Sequence, residues 1–483
     1  MSYNGAQMTA PPPEIFKAND IRGIYGKTLT AGGAKLIGCA LAAAAKAQGA
    51  KHIALGRDGR LSSPELAAAL ADGLCEGGVA VADIGVVPTP VLYYAAAKHC
   101  GGSGVMITGS HNPKNYNGMK MMLGGATLKS EAVRALYERI QSGDFGKSER
   151  APLTNQTIGA EYIDAVIAQN PPLSIAKNAG EPAPPAKALK IVVDAGNGAA
   201  GQLAPLLYRK MGCEVRELFC DIDGNFPNHH PDPARPENLA DAARAAEQWR
   251  ADAAFVFDGD GDRLGVLLPG GDGYENIFPD RLLMLFARDM LSRNPGGGVV
   301  YDVKCSANLS PFVKACGGEA DMQPTGHSFI KARMKQTGAL LGGEMSGHFY
   351  FAEGWIGVDD ALFAGARLAR ILAAGGGMDD IPNSCASPEL LADMQNPHAF
   401  VGQLQKNARE ESGEKSLFGD AAITAIDGLR ADYADGFGLV RASNTTPSLV
   451  FRFEGANAAA MQRIQNTFRK IIKTAAPNLQ LPF

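Results

Sequence analysis

Asp258, Asp260 and Asp262 occupy alternate positions, with Gly259 and Gly261 between them, directly after the apolar run Ala253-Ala254-Phe255-Val256-Phe257. Three carboxylates this close repel one another unless a cation sits among them. The two glycines lack the Cβ that restricts other residues, so the backbone can bend until the side chains converge. The spacing therefore points to a dication site. A small set of hard oxygen ligands suits Mg²⁺, which keeps places in its octahedral shell for water or a phosphate oxygen. A calcium loop of the EF-hand type would need Gly at its sixth position and Glu at its twelfth, where this chain has Arg263 and Pro269. The alternative is an acidic surface turn, since Asp and Gly are common turn residues.

Three further loops carry reactive groups. Ser110 lies in Thr108-Gly109-Ser110-His111-Asn112-Pro113 after the apolar Val105-Met106-Ile107. A hydrolase nucleophile elbow would need Gly at 108 and 112, which disfavours a serine hydrolase. A serine without an evident base can still act by carrying a phosphoryl group, because phosphoryl transfer depends mainly on positioning and charge neutralisation. The plainer reading is a serine that stabilises its own turn. Lys120 follows the turn signal Asn117-Gly118, where the chain is expected to fold back toward Ser110. Glu344, Ser346 and His348 alternate with Met345 and Gly347. In an extended loop they would point one way and offer an acceptor, a hydroxyl and an imidazole to a polyol such as a sugar. Arg441, Ser443, Asn444, Thr445 and Thr446 bring a guanidinium and neutral donors into one short loop, a set able to ring a phosphate or to brace its own turn. His327 and His348 can each be structural or catalytic on this evidence.

Three of these loops end equivalent strands. Ile53 to Asp58, Ile191 to Gly196 and Val299 to Lys304 each read as an apolar strand, then a small-residue loop and a helix. Glycines at the helix ends (Gly77 and Gly78, Gly212, Gly317 and Gly318) lead into a second strand. A third strand follows in each unit and runs into the serine loop, the Asp loop or the segment Gly343 to His348. Alternating strands and helices predict α/β domains with mixed sheets, and ligand loops collect at strand C-terminal ends. The last segment differs: strands around Leu439 to Arg441 and Leu449 to Phe453 precede a helix from the N-cap Asn457 to about Thr474, which predicts a smaller C-terminal α+β domain. The residues from Leu390 to Gln405 take no clear assignment. The expected domains are 1–155, 156–272, 273–386 and 387–483, with Gly180 to Ala188 as a surface loop insertion.

Composition narrows the class. The 483 residues are 46% hydrophobic and 20% charged with a net charge of −4, so no global basic field invites nucleic acid or a membrane surface. Eight scattered cysteines show no metal-ligand or redox spacing, and no stretch of 18 apolar residues or signal-peptide pattern occurs. The expectation is a cytoplasmic protein, monomer or homodimer, whose anionic ligand is held locally.

Taken together, the four loops resemble the α-D-phosphohexomutase family, and within it the bacterial phosphomannomutase/phosphoglucomutase branch. Supporting stretches are Phe16 to Gly23, Gly56-Arg57-Asp58-Gly59-Arg60-Leu61-Ser62 and Asp223 to Pro231. The resemblance spans nearly the whole chain. It implies four domains around a central cleft, and a reversible mutase that converts hexose 6-phosphate (mannose or glucose) to hexose 1-phosphate through a phosphoserine and a hexose 1,6-bisphosphate. It implies phosphorylated Ser110, with Mg²⁺ held by Asp258, Asp260, Asp262 and the Ser110 phosphate. Glu344 and Ser346 would grip sugar hydroxyls, and Arg441, Ser443, Asn444 and Thr445 the non-reacting phosphate. Arg22, Lys120, Arg263, Lys304, His327 and His348 would form the cationic and acid/base lining. Asn19 departs from the Tyr common at its position, while Met345 matches the phosphomannomutase/phosphoglucomutase branch rather than phosphoglucosamine mutases. A phosphoglucosamine mutase and a metal-dependent sugar phosphatase are the alternatives.

Overall fold

A computed structural model describes residues 9–171, 188–271, 273–410, 417–443 and 446–483. Asn444, Thr445 and nearly all of the expected insertion at 180–188 lie outside the described residues. The chain divides into two compact units: Met1–Phe278 with Ser346–Gly377, and Pro279–Met345 with Met378–Phe483.

The first unit holds two sheets of one plan. In one, strand His52–Arg57 lies between Ala80–Val86 and Gly104–Ile107, all parallel. In the other, Lys190–Asp194 lies between Glu214–Leu218 and Ala253–Phe257, again parallel. The strands Gly104–Ile107 and Ala253–Phe257 are buried at every residue, which is why they read as unbroken apolar runs rather than alternating ones. Each is flanked by an antiparallel strand, Tyr116–Leu123 and Leu264–Gly270 respectively. Helices Ala31–Ala47 and Ser63–Glu76 bury Ile37, Leu41, Leu66 and Leu70 in one core with Leu55, Val105 and Ile107.

The second unit repeats the plan once. Strand Gly298–Asp302 lies between Glu319–Gln323 and Leu341–Gly343, all parallel. The expected threefold repeat is thus present as three parallel triplets of the same order. The C-terminal part of this unit is an antiparallel sheet in which Ser448–Gly455 pairs with Gly436–Ala442, Leu390–Asp393 and Cys385–Ala386. Helix Ala458–Ala475 covers it through Ile464, Phe468, Ile471 and Ile472, and the Asn457 side chain caps its start by accepting from Ala460 N at 3.0 Å.

Two local expectations are corrected. Asn117 and Gly118 form no turn; both lie inside Tyr116–Leu123, which also pairs antiparallel with Ile21–Ile24. Gly118 is needed for close approach, since a Cβ there would stand 2.1 Å from the Ile21 carbonyl oxygen. The unassigned stretch 390–405 is strand Leu390–Asp393 followed by helix Pro397–Glu410.

Candidate active site

The Asp loop joins antiparallel strands that are in register at Phe257 and Leu264. Asp258 Oδ1 accepts from the backbone N–H of Asp262 (3.1 Å) and Arg263 (3.2 Å), which curls the loop on itself, and Gly261 takes φ +71° to allow it. All three carboxylates are fully buried, and each offers one oxygen within 4.8 Å of the others. Asp260 Oδ1 accepts no hydrogen bond despite its burial, a costly state for a carboxylate oxygen without a ligand. Three buried carboxylates with two oxygens that accept no hydrogen bond, Asp260 Oδ1 and Asp262 Oδ1, fit a divalent cation of the Mg²⁺ kind.

Ser110 meets this loop from the neighbouring sheet. It follows Gly104–Ile107, is 2% exposed, and takes φ +48°, a left-handed conformation that costs a residue with a side chain about 1–2 kcal/mol. Its Oγ donates to Asp258 Oδ2 at 2.8 Å and stands 3.2 Å from His111 Nδ1. The two loops touch along the backbone: a Cβ on Gly259 would lie 2.5 Å from the Ser110 carbonyl oxygen.

Cations offset the buried negative charge. Lys120, opposite Met106 in the ladder, donates from Nζ to Asp260 Oδ2 at 2.6 Å and also to Asp262 Oδ2. It therefore does reach the serine loop's neighbourhood, but along a strand and not around a hairpin. Burial lowers the Lys120 pKa, yet Asp260, Asp262 and Asp258 outweigh it and hold the ammonium charged. Burial and the two neighbouring carboxylates raise the Asp258 pKa well above the usual range. Burial also works to raise that of Asp262, but Lys120, His348 and Arg263 prevail and hold it well below.

His348 Nε2 stands 3.3 Å from Asp262 Oδ1 and 3.4 Å from Arg263 Nε, and its Nδ1 lies 2.8 Å from Ser346 Oγ. A protonated Nε2 faces Asp262 and a bare one accepts from Arg263, so both charge states of the ring have a partner. The extended alternation expected for Glu344, Ser346 and His348 does not occur: the chain turns at Met345 and Ser346, and Gly347 takes φ +94°. Arg22 joins the serine loop, donating to Asn112 Oδ1 at 3.2 Å and to Asp20 Oδ2 at 2.6 Å.

In the second unit Lys304, His327, Glu344 and Arg441 are connected. Lys304 Nζ lies 2.6 Å from Glu389 Oε1 and 3.4 Å from Asp302 Oδ2. Burial lowers its pKa, and the two carboxylates more than reverse this. Glu344, buried after Leu341–Gly343, accepts from Gly326 N at 2.8 Å, and His327 begins the helix that follows. Asp427 Oδ2 accepts from Thr325 N at 2.9 Å and from Arg441 Nε at 3.0 Å, which ties the Arg441 strand to the same turn. Ser443 Oγ accepts from Thr446 N at 3.2 Å, so part of this loop does brace itself.

The sequence reading missed several residues that hold these groups. Thr89 donates from its N–H to the Asp260 carbonyl at 2.8 Å and from its hydroxyl to Asp260 Oδ2. Asp359, buried, offers an oxygen within 4.8 Å of atoms of Asp262 and His348. Glu389 and Asp427 brace Lys304 and Arg441 as described. None carries a motif of its own. Asp58 and Arg60, by contrast, stood in a stretch singled out only for its resemblance.

Comparison with known proteins bears on this arrangement. Family models for phosphoglucomutase/phosphomannomutase match in sequence: α/β/α domain I at residues 13–147, domain II at 160–271, domain III at 278–386 and the C-terminal domain at 403–471. The chain belongs to this family. A phosphoglucomutase of Neisseria gonorrhoeae is 49% identical over 95% of this chain and 97% of its own. A phosphomannomutase/phosphoglucomutase of Pseudomonas putida is 47% identical over 98% of each. The crystal structure of a family protein from Burkholderia thailandensis superposes with a TM-score of 0.87 at 46% identity, covering 98% of this chain and 100% of that one. The protein is an enzyme, a hexose phosphate mutase. No helix among the described residues is long and apolar enough to cross a membrane.

Proposed function

We propose that Ser110 carries a phosphoryl group and exchanges it with a hexose phosphate, so that hexose 6-phosphate and hexose 1-phosphate interconvert through a hexose 1,6-bisphosphate. In the first half, a free sugar hydroxyl attacks phosphorus, the bond to Ser110 Oγ breaks, and the hydroxyl proton passes to a base. In the second, Ser110 Oγ attacks the other phosphorus of the reoriented bisphosphate, the bond from that phosphorus to the sugar oxygen breaks, and the base returns its proton to that oxygen. The observation that carries this reading is the 2.8 Å hydrogen bond from Ser110 Oγ into the Asp258, Asp260, Asp262 trio.

Those three carboxylates, with an oxygen of the Ser110 phosphate, would hold Mg²⁺, which as a Lewis acid draws charge from a transferring phosphoryl group. The remaining roles belong to side chains. Lys120, Arg22 and Arg263 neutralise charge around Ser110. His348, with a partner for either charge state, is the proton carrier best supported by contacts; His327 and Lys120 are the other candidates. Glu344 and Ser346 bind sugar hydroxyls, Lys304 is a further substrate-binding group, and Arg441, Ser443, Asn444 and Thr445 take the phosphate that does not react. The substrates are glucose and mannose phosphates, in line with the names of the similar enzymes. The four-domain division at 155, 272 and 386 is part of this reading, supported by the four family matches, each of which falls inside one proposed domain.

Ser110→Ala tests it. The wild-type chain gains the mass of one phosphate on exposure to hexose 1,6-bisphosphate and the variant does not, while sugar phosphate binding survives. A variant that keeps full turnover would sink the assignment. Release of inorganic phosphate in place of the isomeric sugar phosphate would make the enzyme a phosphatase instead.

A further inference from the structure

Asp58 and Arg60 have no part in the scheme above, yet their side chains are 1% and 0% exposed and pair with each other at 3.1 Å. Burying such a pair is expensive unless every remaining donor and acceptor is used, and here most are used on the serine loop and the start of the strand after it. Arg60 NH2 donates to the carbonyls of Ser110 (2.6 Å) and Asn112 (2.7 Å), and NH1 to those of Pro113 (2.7 Å) and Tyr116 (3.1 Å). With Nε on Asp58, the guanidinium's full set of N–H donors is spent. Asp58 Oδ2 also accepts from Thr108 Oγ1 at 2.8 Å and from Gly109 N at 3.1 Å, while Oδ1 accepts from Arg60 N at 3.0 Å and from the Ser63 hydroxyl. Thr108 Oγ1 in turn accepts from Ser110 N at 2.8 Å.

Both peptide groups of Ser110 are thus gripped by side chains: its N–H by Thr108, its carbonyl by Arg60. We propose that Arg60, Asp58 and Thr108 are positioning residues, which hold Ser110 in its left-handed conformation and so aim its Oγ at the carboxylate site. The inference rests on the reading of Ser110 as the phosphoryl carrier and extends it. What works to unwind this loop is the unfavourable φ of +48°. Rotation of Ser110 toward an ordinary φ would swing Oγ out of line with an acceptor hydroxyl, and a misplacement of about 1 Å costs about 100-fold in rate. The clamp's hydrogen bonds go to the backbone of the serine loop and to no group assigned to sugar binding, so its effect belongs in the transfer step and not in substrate affinity.

Thr108→Val and Thr108→Ser separate positioning from bulk. Valine keeps the shape and removes the acceptor for Ser110 N–H; serine keeps the hydroxyl. Each protein is phosphorylated with hexose 1,6-bisphosphate, its phosphorylated fraction is read by intact mass, and single-turnover transfer to glucose 6-phosphate is measured per phosphorylated chain. The valine variant is expected to transfer about 100-fold more slowly with KM within about threefold of wild type, and the serine variant to recover to within about threefold. Arg60→Lys, which cannot supply the planar fork, slows the same step where it folds. Wild-type transfer per phosphorylated chain in Thr108→Val overturns the inference, as does a loss confined to KM. A wild-type enzyme that takes up no phosphate at all overturns the reading of Ser110 itself, so the two failures are distinguishable.

Discussion

Replacing Lys120 by Met should make the first unit's stability depend on a dication. Lys120 is 6% exposed, and its ammonium bridges Asp260 and Asp262, both fully buried. Methionine keeps most of the stem and removes the charge, which leaves three buried carboxylates with Arg263, the His348 ring and Arg60 among their remaining cationic neighbours. Removing one partner of a buried pair costs about 3–5 kcal/mol. A dication that binds only the folded site returns RT ln(1 + [L]/Kd), about 2.7 kcal/mol at 100 times its Kd. In EDTA the variant should therefore unfold about 3–5 kcal/mol more easily than wild type, and Mg²⁺ should recover a large part of that loss. The Mg²⁺ increment should also exceed that of wild type, where the cation has a lysine to displace. Both tryptophans, Trp249 and Trp355, belong to the first unit, so tryptophan fluorescence in urea follows this unit by itself. Equal stability of variant and wild type in EDTA, to within about 0.5 kcal/mol, would refute the view that Lys120 is the counter-ion of the site; equal Mg²⁺ increments would refute the view that lysine and metal compete there.

His229 Nε2 pairs with fully buried Asp194 at 3.1 Å. Burial lowers its pKa but Asp194 outweighs this and raises it, so the pair's stabilisation is complete below the unfolded value of about 6.5 and fades as pH rises through the higher folded value. His229→Gln should cost more stability at pH 6 than at pH 9, and urea midpoints across that range check the slope. In the second unit, Arg452 donates to Asp280 Oδ2 at 3.0 Å with both side chains almost wholly buried. Arg452→Met should cost about 3–5 kcal/mol, and adding Asp280→Asn should recover more than half by removing the stranded charge, as read by hydrogen exchange along Ser448–Gly455. Gly118→Ala sets a Cβ 2.1 Å from the Ile21 carbonyl. It should destabilise the first unit by more than about 2 kcal/mol and lower turnover through displacement of Arg22, both measurable on the purified variant.

The threefold plan was readable because the strands that carry it are buried on both faces and so spell continuous apolar runs. Ala253-Ala254-Phe255-Val256-Phe257 has no other stable home, and it comes out as Ala253–Phe257. Leu390–Asp393 gave no such cue: it is four residues long and Leu391 is 52% exposed. Asn117-Gly118 misled for a related reason. The dipeptide is a strong local turn signal, but here Gly118 answers to a neighbouring carbonyl that sequence cannot place.

The Asp loop was readable because its own charge demands a cation, whatever surrounds it. Its partners were a different matter. Ser110 and Asp258 are 148 positions apart, Thr89 and Asp260 171, and they meet only because the loops of one sheet pack against those of its neighbour. Glu389 and Asp427 are single acids in ordinary stretches whose importance comes entirely from the cation or backbone donor each receives.

A division of labour follows from where the charges lie. Ser110, the three aspartates, Lys120, Arg22, Arg263 and His348 all belong to the first unit, whereas Lys304, His327, Glu344 and Arg441 belong to the second. Within the first, Asp260 and Asp262 already meet Lys120, and Arg22 meets Asp20, whereas the Asp258 carboxylate accepts, among the described residues, only from the Ser110 hydroxyl and two backbone N–H groups. Within the second, Lys304 is held by Glu389 and Arg441 by Asp427, carboxylates with which, on the proposed reading, a sugar phosphate would compete. On the proposed reading, Lys304, Glu344, Arg441 and Ser443 in the second unit contact the substrate, Ser346 does so from the first, and the serine that carries the phosphoryl group is in the first. The recognition contacts can then release and rebind a bisphosphate in two orientations while the geometry at Ser110 stays unchanged between the two transfers.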